Sequence, residues 1–243
     1  MAEQEIAVVV GVGPGLGASL ARRFAKAGMA VALAARTPDK LAPLAKELKS
    51  LGGQGRAYAC DATAPREVES LFGRVKAELG IPHLVVHNAS AFMRKGILDT
   101  TVEEFERCWR VSCLGGFLVG AAAVRAMLSR VEAGGAGGTI VFTGATASLR
   151  GGAMFHNLAV GKFGLRALAQ SMAREFQPKG IHVAHAIIDG QIAGERAGYR
   201  RNERGPDAIL EPDAIADAYY QVHRQPRSAW TLEFDLRPWV EKF

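Results

Sequence analysis

Three observations predict an α/β fold built on one doubly wound parallel sheet. Short apolar runs rich in β-branched residues recur along the 243-residue chain, at 6–11, 30–36, 56–61, 83–89, 139–145, 182–188 and 231–236. The stretches between them carry a 3.6-residue period, as in Leu41-x-x-Leu44-Ala45-x-x-Leu48 and Val68-x-x-Leu71-Phe72-x-x-Val75. Some runs, notably Val8-Val9-Val10 and Leu84-Val85-Val86, are apolar at consecutive positions, as strands buried on both faces require. About seven strands with helices on both faces follow. With no linker in sight, residues 1–243 read as a single domain.

The first run leads into Gly11-Val12-Gly13-Pro14-Gly15-Leu16-Gly17 and then into helix-forming sequence. A strand, a glycine-rich turn and a helix N-terminus together offer backbone N–H groups to a phosphate. The pattern G-x-G-x-x-G fails at Leu16, whereas G-x-x-x-G-x-G is met by Gly11, Gly15 and Gly17. The turn, with Gly13, Pro14 and Leu16 inside it, is therefore expected to hold the diphosphate of a dinucleotide. Gly11 permits the turn, Gly15 lets the diphosphate approach, and Gly17 lets the helix pack closely.

The second run ends in Ala34-Ala35-Arg36-Thr37. A site for NAD(H) places an acid here to bind the ribose 2′-hydroxyl. Arg36, beside Thr37, instead suits a 2′-phosphate through charge-assisted hydrogen bonds, so NADP(H) is expected rather than NAD(H). Farther on, a long helix is expected at about 102–130, the loop 132–138 joins it to the fifth strand, and a helix opens at Lys162. The stretch 190–206, with Arg196, Arg200, Arg201 and Arg204 and no apolar period, reads as a lid over the site. The end of the chain, 229–239, reads as an alternating edge strand carrying Trp230 and Trp239, which invites contact between subunits.

Composition narrows the function classes. Hydrophobic residues make up 49% and charged residues 22% of the chain, ordinary values for a soluble enzyme-sized domain. The net charge is +6, but the basic residues are scattered among acids without interleaved aromatics, which argues against nucleic acid as a partner. The acidic start Met1-Ala2-Glu3-Gln4-Glu5 is unlike a signal peptide, and no segment reads as a membrane span, so a cytoplasmic location is expected. Cys60, Cys108 and Cys113 fit neither a redox pair nor a zinc site, and no metal is expected.

In the order and separation of its motifs, the chain resembles the short-chain dehydrogenase/reductase family over essentially its whole length. Gly11-x-x-x-Gly15-x-Gly17 is similar to the family's cofactor motif, with Val10 where threonine is usual. Asp61, followed by Ala62, matches the acid that contacts the adenine. His87-Asn88-Ala89-Ser90 resembles Asn-Asn-Ala-Gly with both outer residues changed. Asp189-Gly190-Gln191-Ile192 stands in place of the Pro-Gly-x-Ile stretch whose Ile N–H holds the carboxamide. The resemblance implies a seven-stranded Rossmann-type fold, cofactor contacts from Asn88, Ala89, Thr143, Lys162 and Ile192, a small-molecule substrate, and a homodimer or homotetramer assembled through the long helices.

The catalytic pattern departs from the family. Its chemistry uses a serine, a tyrosine, a lysine four residues after the tyrosine, and an asparagine on the preceding long helix. Residues at i and i+4 share a helix face. Here Lys162 keeps the lysine, but Leu158 stands at the tyrosine position, Ala145 at the serine and Ser112 at the asparagine. Leucine and alanine have no side-chain hydrogen-bonding group. Lys162 is expected to anchor the nicotinamide ribose. His156, Asn157, Thr146, Ser148 and Tyr199 are the nearby candidates for a substitute proton donor, with His156 best by its intrinsic pKa. Phe92, Met93 and Phe155 are expected to wall an apolar pocket. Two readings follow: an NADP(H)-dependent oxidoreductase acting on an activated C=C or C=O bond, and an NADP(H)-binding protein without turnover that reports redox state.

Overall fold

The computed structural model describes residues 4–194, 205 and 207–241. Seven strands form one sheet in the order β3-β2-β1-β4-β5-β6-β7: β1 Ile6–Val10, β2 Ala30–Ala35, β3 Gln54–Ala59, β4 Leu84–His87, β5 Thr139–Thr143, β6 His182–Ile188 and β7 Glu233–Leu236. Every neighbouring pair is parallel. The helices are α1 Leu16–Lys26, α2 Ala42–Ser50, α3 Pro65–Glu78, α4 Val102–Trp109, α5 Gly115–Glu132, α6 His156–Phe176 and α7 Pro212–His223.

The consecutive apolar runs serve both faces of the sheet. Within β1, Ile6, Val8 and Val10 join one core with Val68 and Leu71 of α3, Val119 and Met127 of α5, and Leu165 of α6. Ala7 and Val9 join the other with Leu20 and Phe24 of α1, Leu48 of α2 and Tyr219 of α7. The chain reverses direction across the sheet between β1 and β4, and ligands of such sheets bind beside that switch point, at the C-terminal strand ends.

Four sequence expectations are adjusted. β3 begins at Gln54 rather than 56, and β7 at Glu233 rather than 231. α6 begins at His156, so Lys162 sits in its second turn. Phe155, its N-cap, makes no side-chain cap, and the start therefore lacks the usual sequence signal. The long helix runs from 102 to 132 but passes through a π-helical turn at Arg110–Leu114. By length and composition alone this continuous Val102–Glu132 stretch is apolar enough to cross a membrane, but half of the qualifying window is buried inside the fold, as in a core helix.

The expected lid falls largely on 195–204 and 206, which lie outside the described residues, as do its four arginines and Tyr199. The flanking Gln191–Ala193 segment pairs with Leu210 through Leu210 N–H to Gln191 O and Ala193 N–H to Leu210 O, each 2.8 Å. Cys60, Cys108 and Cys113 are free thiols. Among the described residues no group of three or more His, Cys, Asp or Glu side chains could hold a metal ion.

Candidate functional site

The glycine turn after β1 closes on the end of β4. Gly11 has φ +93°, and a Cβ there would lie 2.4 Å from the Ala89 nitrogen. Asn88 Nδ2 donates to Gly11 O over 3.0 Å, which ties the two strand ends together. A Cβ on Gly17 would fall 2.8 Å from Val12 Cα, so close packing of α1 onto the turn requires glycine. Gly13 and Gly15 differ: nothing lies within 4 Å of the place a Cβ would take.

No side chain caps the start of α1. Its first N–H groups therefore face a cradle open at Gly13 and Gly15, with the positive end of the helix dipole behind them. Pro14 is exposed on the rim, while the Leu16 side chain is buried in the core. This arrangement fits the diphosphate of a dinucleotide.

At the end of β2, Arg36 and Thr37 are exposed. Beyond β3, Asp61 Oδ1 accepts from the Thr63 N–H and hydroxyl, each 2.8 Å, and the Asp61 N–H donates to Glu67 Oε2 over 2.8 Å. Ala62 is buried beside Gly115 of α5. The open turn, the exposed arginine and the fixed Asp61 lie along the C-terminal ends of β1, β2 and β3.

Lys162 projects from α6 to the end of β5, where its Nζ donates to Thr143 O over 2.6 Å. The lysine is 2% exposed, and burial pulls its pKa down to about 8. The Thr143 hydroxyl turns to the other face of the sheet and accepts from Tyr219 Oη over 3.0 Å. Tyr219 thus lies behind β5, away from Lys162, and burial holds its phenol above the ordinary range. Leu158 lies one turn before Lys162 on the same helix, and Ala145 follows β5; both are partly exposed.

The candidate proton donors separate. His156 stacks on Phe105 of α4, with ring centroids 6.3 Å apart and planes 8° apart, and its buried Nε2 has no partner. Six residues before Lys162, it occupies a different face of α6. Asn157 is fully buried and bridges the backbone of Met93, donating to its carbonyl over 2.7 Å. Phe92 and Phe155 stack at 4.8 Å on the rim, both exposed. Ser112 lies in the π-helical turn with a buried, unpartnered Oγ, packed against Gly161 of α6.

Three arrangements escaped the sequence reading, although two of them involve the motif residues His87 and Asp189. His87, at the end of β4, is fully buried with both ring nitrogens unpartnered; burial, aided by the Lys162 charge, lowers its pKa to about 3. His185 of β6 lies beneath the loop after β5, with Nε2 3.3 Å from Ser148 Oγ and Nδ1 3.7 Å from Glu233 Oε1. Arg166 holds that glutamate through two hydrogen bonds of 2.6 and 2.8 Å. Asp189 accepts from the Thr146 hydroxyl and faces Arg237 Nη2 at 3.3 Å. Each network joins residues from distant strands, so no local spacing announces it.

The family model for short chain dehydrogenases matches residues 5–203. The chain is similar to a short-chain dehydrogenase/reductase of Armillaria gallica, 33% identical over 195 residues, spanning 79% of this chain and 72% of that one. It is also similar to the crystal structure of a short-chain dehydrogenase from Rhodopseudomonas palustris, 40% identical, with a TM-score of 0.82 over 97% of this chain and 99% of that one. A metagenomic short-chain oxidoreductase crystallised with NADP is 25% identical, with a TM-score of 0.81 over 98% of each chain.

Proposed function

We propose that this chain, which belongs to the short-chain dehydrogenase family of oxidoreductases, is an NADP(H)-dependent enzyme that reduces an activated C=C or C=O bond. One observation carries the cofactor reading: a turn left open at Gly13 and Gly15, beside an uncapped helix start and an exposed arginine at the end of β2. Gly11, Gly13, Pro14, Gly15, Leu16 and Gly17 form the diphosphate cradle, and Arg36 and Thr37 take the 2′-phosphate. Asp61 and Ala62 border the adenine. Asn88, Ala89, Thr143, Lys162 and Ile192 complete the nicotinamide end. The NADP-bound relative supports the same cofactor class.

NADPH, when bound, supplies a hydride. The chain's own part is then to place the substrate and manage charge. Lys162, fixed by the Thr143 carbonyl, is offered as the ribose anchor and keeps a positive charge near the reacting centre at neutral pH. Ser112 and His156 are the remaining catalytic candidates, Ser112 through its unpartnered hydroxyl and His156 through its unpartnered Nε2. Neither Ala145 nor Leu158 can donate a proton. A conjugated C=C bond suits that deficit better than a simple ketone, because the enolate left by its reduction accepts a proton from water. The stacked Phe92 and Phe155 offer an apolar wall for such a small-molecule substrate.

A second copy of the chain belongs to the proposal. Phe117 of α5 and Val160 and Phe163 of α6 are large apolar side chains exposed on neighbouring helices, and light scattering of the purified protein tests their cover. The function is tested by following NADPH and NADH oxidation against enones, enoyl thioesters, quinones and ketones, alongside calorimetric titration of both nucleotides. Turnover of an enone or enoyl thioester with NADPH is expected. Binding of neither nucleotide at near-millimolar concentration overturns the reading.

A further inference from the structure

We propose that Thr146 and Asp189 together read a hydrogen-bond-donating group, a hydroxyl or an amide N–H, on the molecule held at the C-terminal ends of β5 and β6. The inference rests on the reading above for the presence of a ligand there and adds which groups that ligand presents. It starts from hydrogen counting. Asp189 is 4% exposed and ion-paired with Arg237, so its carboxylate has no hydrogen to give. The bond between Thr146 Oγ1 and Asp189 Oδ1 must therefore use the single hydrogen of the threonine hydroxyl. What Thr146 can still offer is a lone pair, made more basic by the carboxylate behind it.

Much of the loop around it is already committed. The Ala145 N–H donates to Ser148 Oγ over 3.1 Å, and the Ala145 carbonyl accepts from the Ser148 N–H over 2.8 Å. The Thr146 carbonyl accepts from the Leu149 and Arg150 N–H groups. Ser148 itself is fully buried against His185. Thr146 is partly exposed, and with its hydrogen committed to Asp189 its hydroxyl can meet a ligand only as an acceptor. A lone serine or threonine hydroxyl would both give and take. The buried carboxylate removes that ambiguity, and ligands presenting a carbonyl oxygen at this point are disfavoured.

Two sources share this donor chemistry, the carboxamide of the nicotinamide and a hydroxyl of the substrate. Calorimetry with NADP+ and with its 3-acetylpyridine analogue, in which a methyl group replaces the amide NH2, separates them. For the carboxamide source, the wild-type protein binds NADP+ about tenfold more tightly than the analogue. Thr146→Val then loses the preference, Thr146→Ser keeps it, and Asp189→Asn flattens it, since an asparagine amide can donate to the threonine and release its hydrogen. For the substrate source, both nucleotides bind alike in every variant. The wild-type NADP+ complex then prefers 2-hydroxycyclohexanone to cyclohexanone, and Thr146→Val and Asp189→Asn abolish that preference. A merely structural tie would weaken all ligands of a pair together. The proposal is overturned if the wild-type protein binds NADP+ yet shows no preference in either pair. Failure to bind any nucleotide would instead strike the cofactor reading beneath it.

Discussion

Lys162 Nζ lies 2.6 Å from the main-chain oxygen of Thr143, and this contact fixes the lysine that the chain keeps from the family's catalytic pattern. Burial makes the arrangement costly. The lysine pKa falls from 10.5 to about 8 in the fold, so between those values the unfolded chain holds a proton that the folded chain has lost. Stability contributed at this position is therefore lowest below pH 8 and recovers as pH rises towards 10.5.

Replacing the lysine should separate stability from binding. Lys162→Met removes a buried charge while keeping most of the volume. At pH 7 the variant is expected to melt at the same temperature as the wild-type protein or higher, and to bind NADPH about tenfold or more weakly. Differential scanning fluorimetry and calorimetry check the two halves. A variant that melts lower and binds normally would assign Lys162 to structure alone.

Arg36 should set nucleotide choice. Arg36→Ala is expected to weaken NADPH binding by about tenfold or more while leaving NADH within about twofold, because only the former carries the 2′-phosphate. The wild-type preference should also shrink as salt rises. Dissociation constants of both nucleotides at low and high ionic strength provide the measurement.

The glycines of the turn should divide by function. Gly11→Ala meets both a positive φ and a Cβ position 2.4 Å from the Ala89 nitrogen, and is expected to destabilise the fold by about 3 kcal/mol or more. Gly13→Ala projects into open space and should leave the melting temperature nearly unchanged while reducing nucleotide affinity. Thermal melts with and without NADPH distinguish the two.

Acid sensitivity should come from buried histidines. Burial is the largest cause lowering His87 to about 3 and His185 to about 4, from 6.5, so below pH 6.5 the unfolded chain binds protons that the folded chain excludes. Stability is expected to fall steadily as pH drops from 6.5 towards 3. His87→Asn should reduce the slope of melting temperature against pH in that window. An unchanged slope would assign the acid limb to other groups, such as Glu5, whose pKa is lowered to about 2 chiefly by the neighbouring His223 imidazole, 3.8 Å away.

Restoring the missing hydroxyls tests how far the site has moved. The double substitution Ala145→Ser and Leu158→Tyr, beside an unchanged Lys162, is expected to create measurable ketone reduction with NADPH. The phenol would stand one turn before the lysine. Retained nucleotide binding without any ketone turnover would show that the surrounding pocket has diverged as well.

What could be read in advance follows from how local each determinant is. The glycine turn was legible because its requirements lie in seven consecutive residues. The strands were legible because burial on both faces leaves runs such as Val8-Val9-Val10 with no polar position. The start of α6 was not, since Phe155 gives no capping signal, and the π-helical turn around Ser112 interrupts a pattern that otherwise reads as one helix. The polar networks lay beyond reach for another reason. Thr146 and Asp189 are 43 positions apart, and Ser148 and His185 are 37 apart, so only the sheet brings them together.

The His185 ring fills the room above Gly144, where a Cβ would lie 2.4 Å from its Nε2. The Ala186 carbonyl oxygen lies 2.7 Å from the same point, so shrinking residue 185 alone would not admit a side chain at 144. The loop that follows β5 therefore begins from a backbone position with no slack, wedged between a ring and a neighbouring strand.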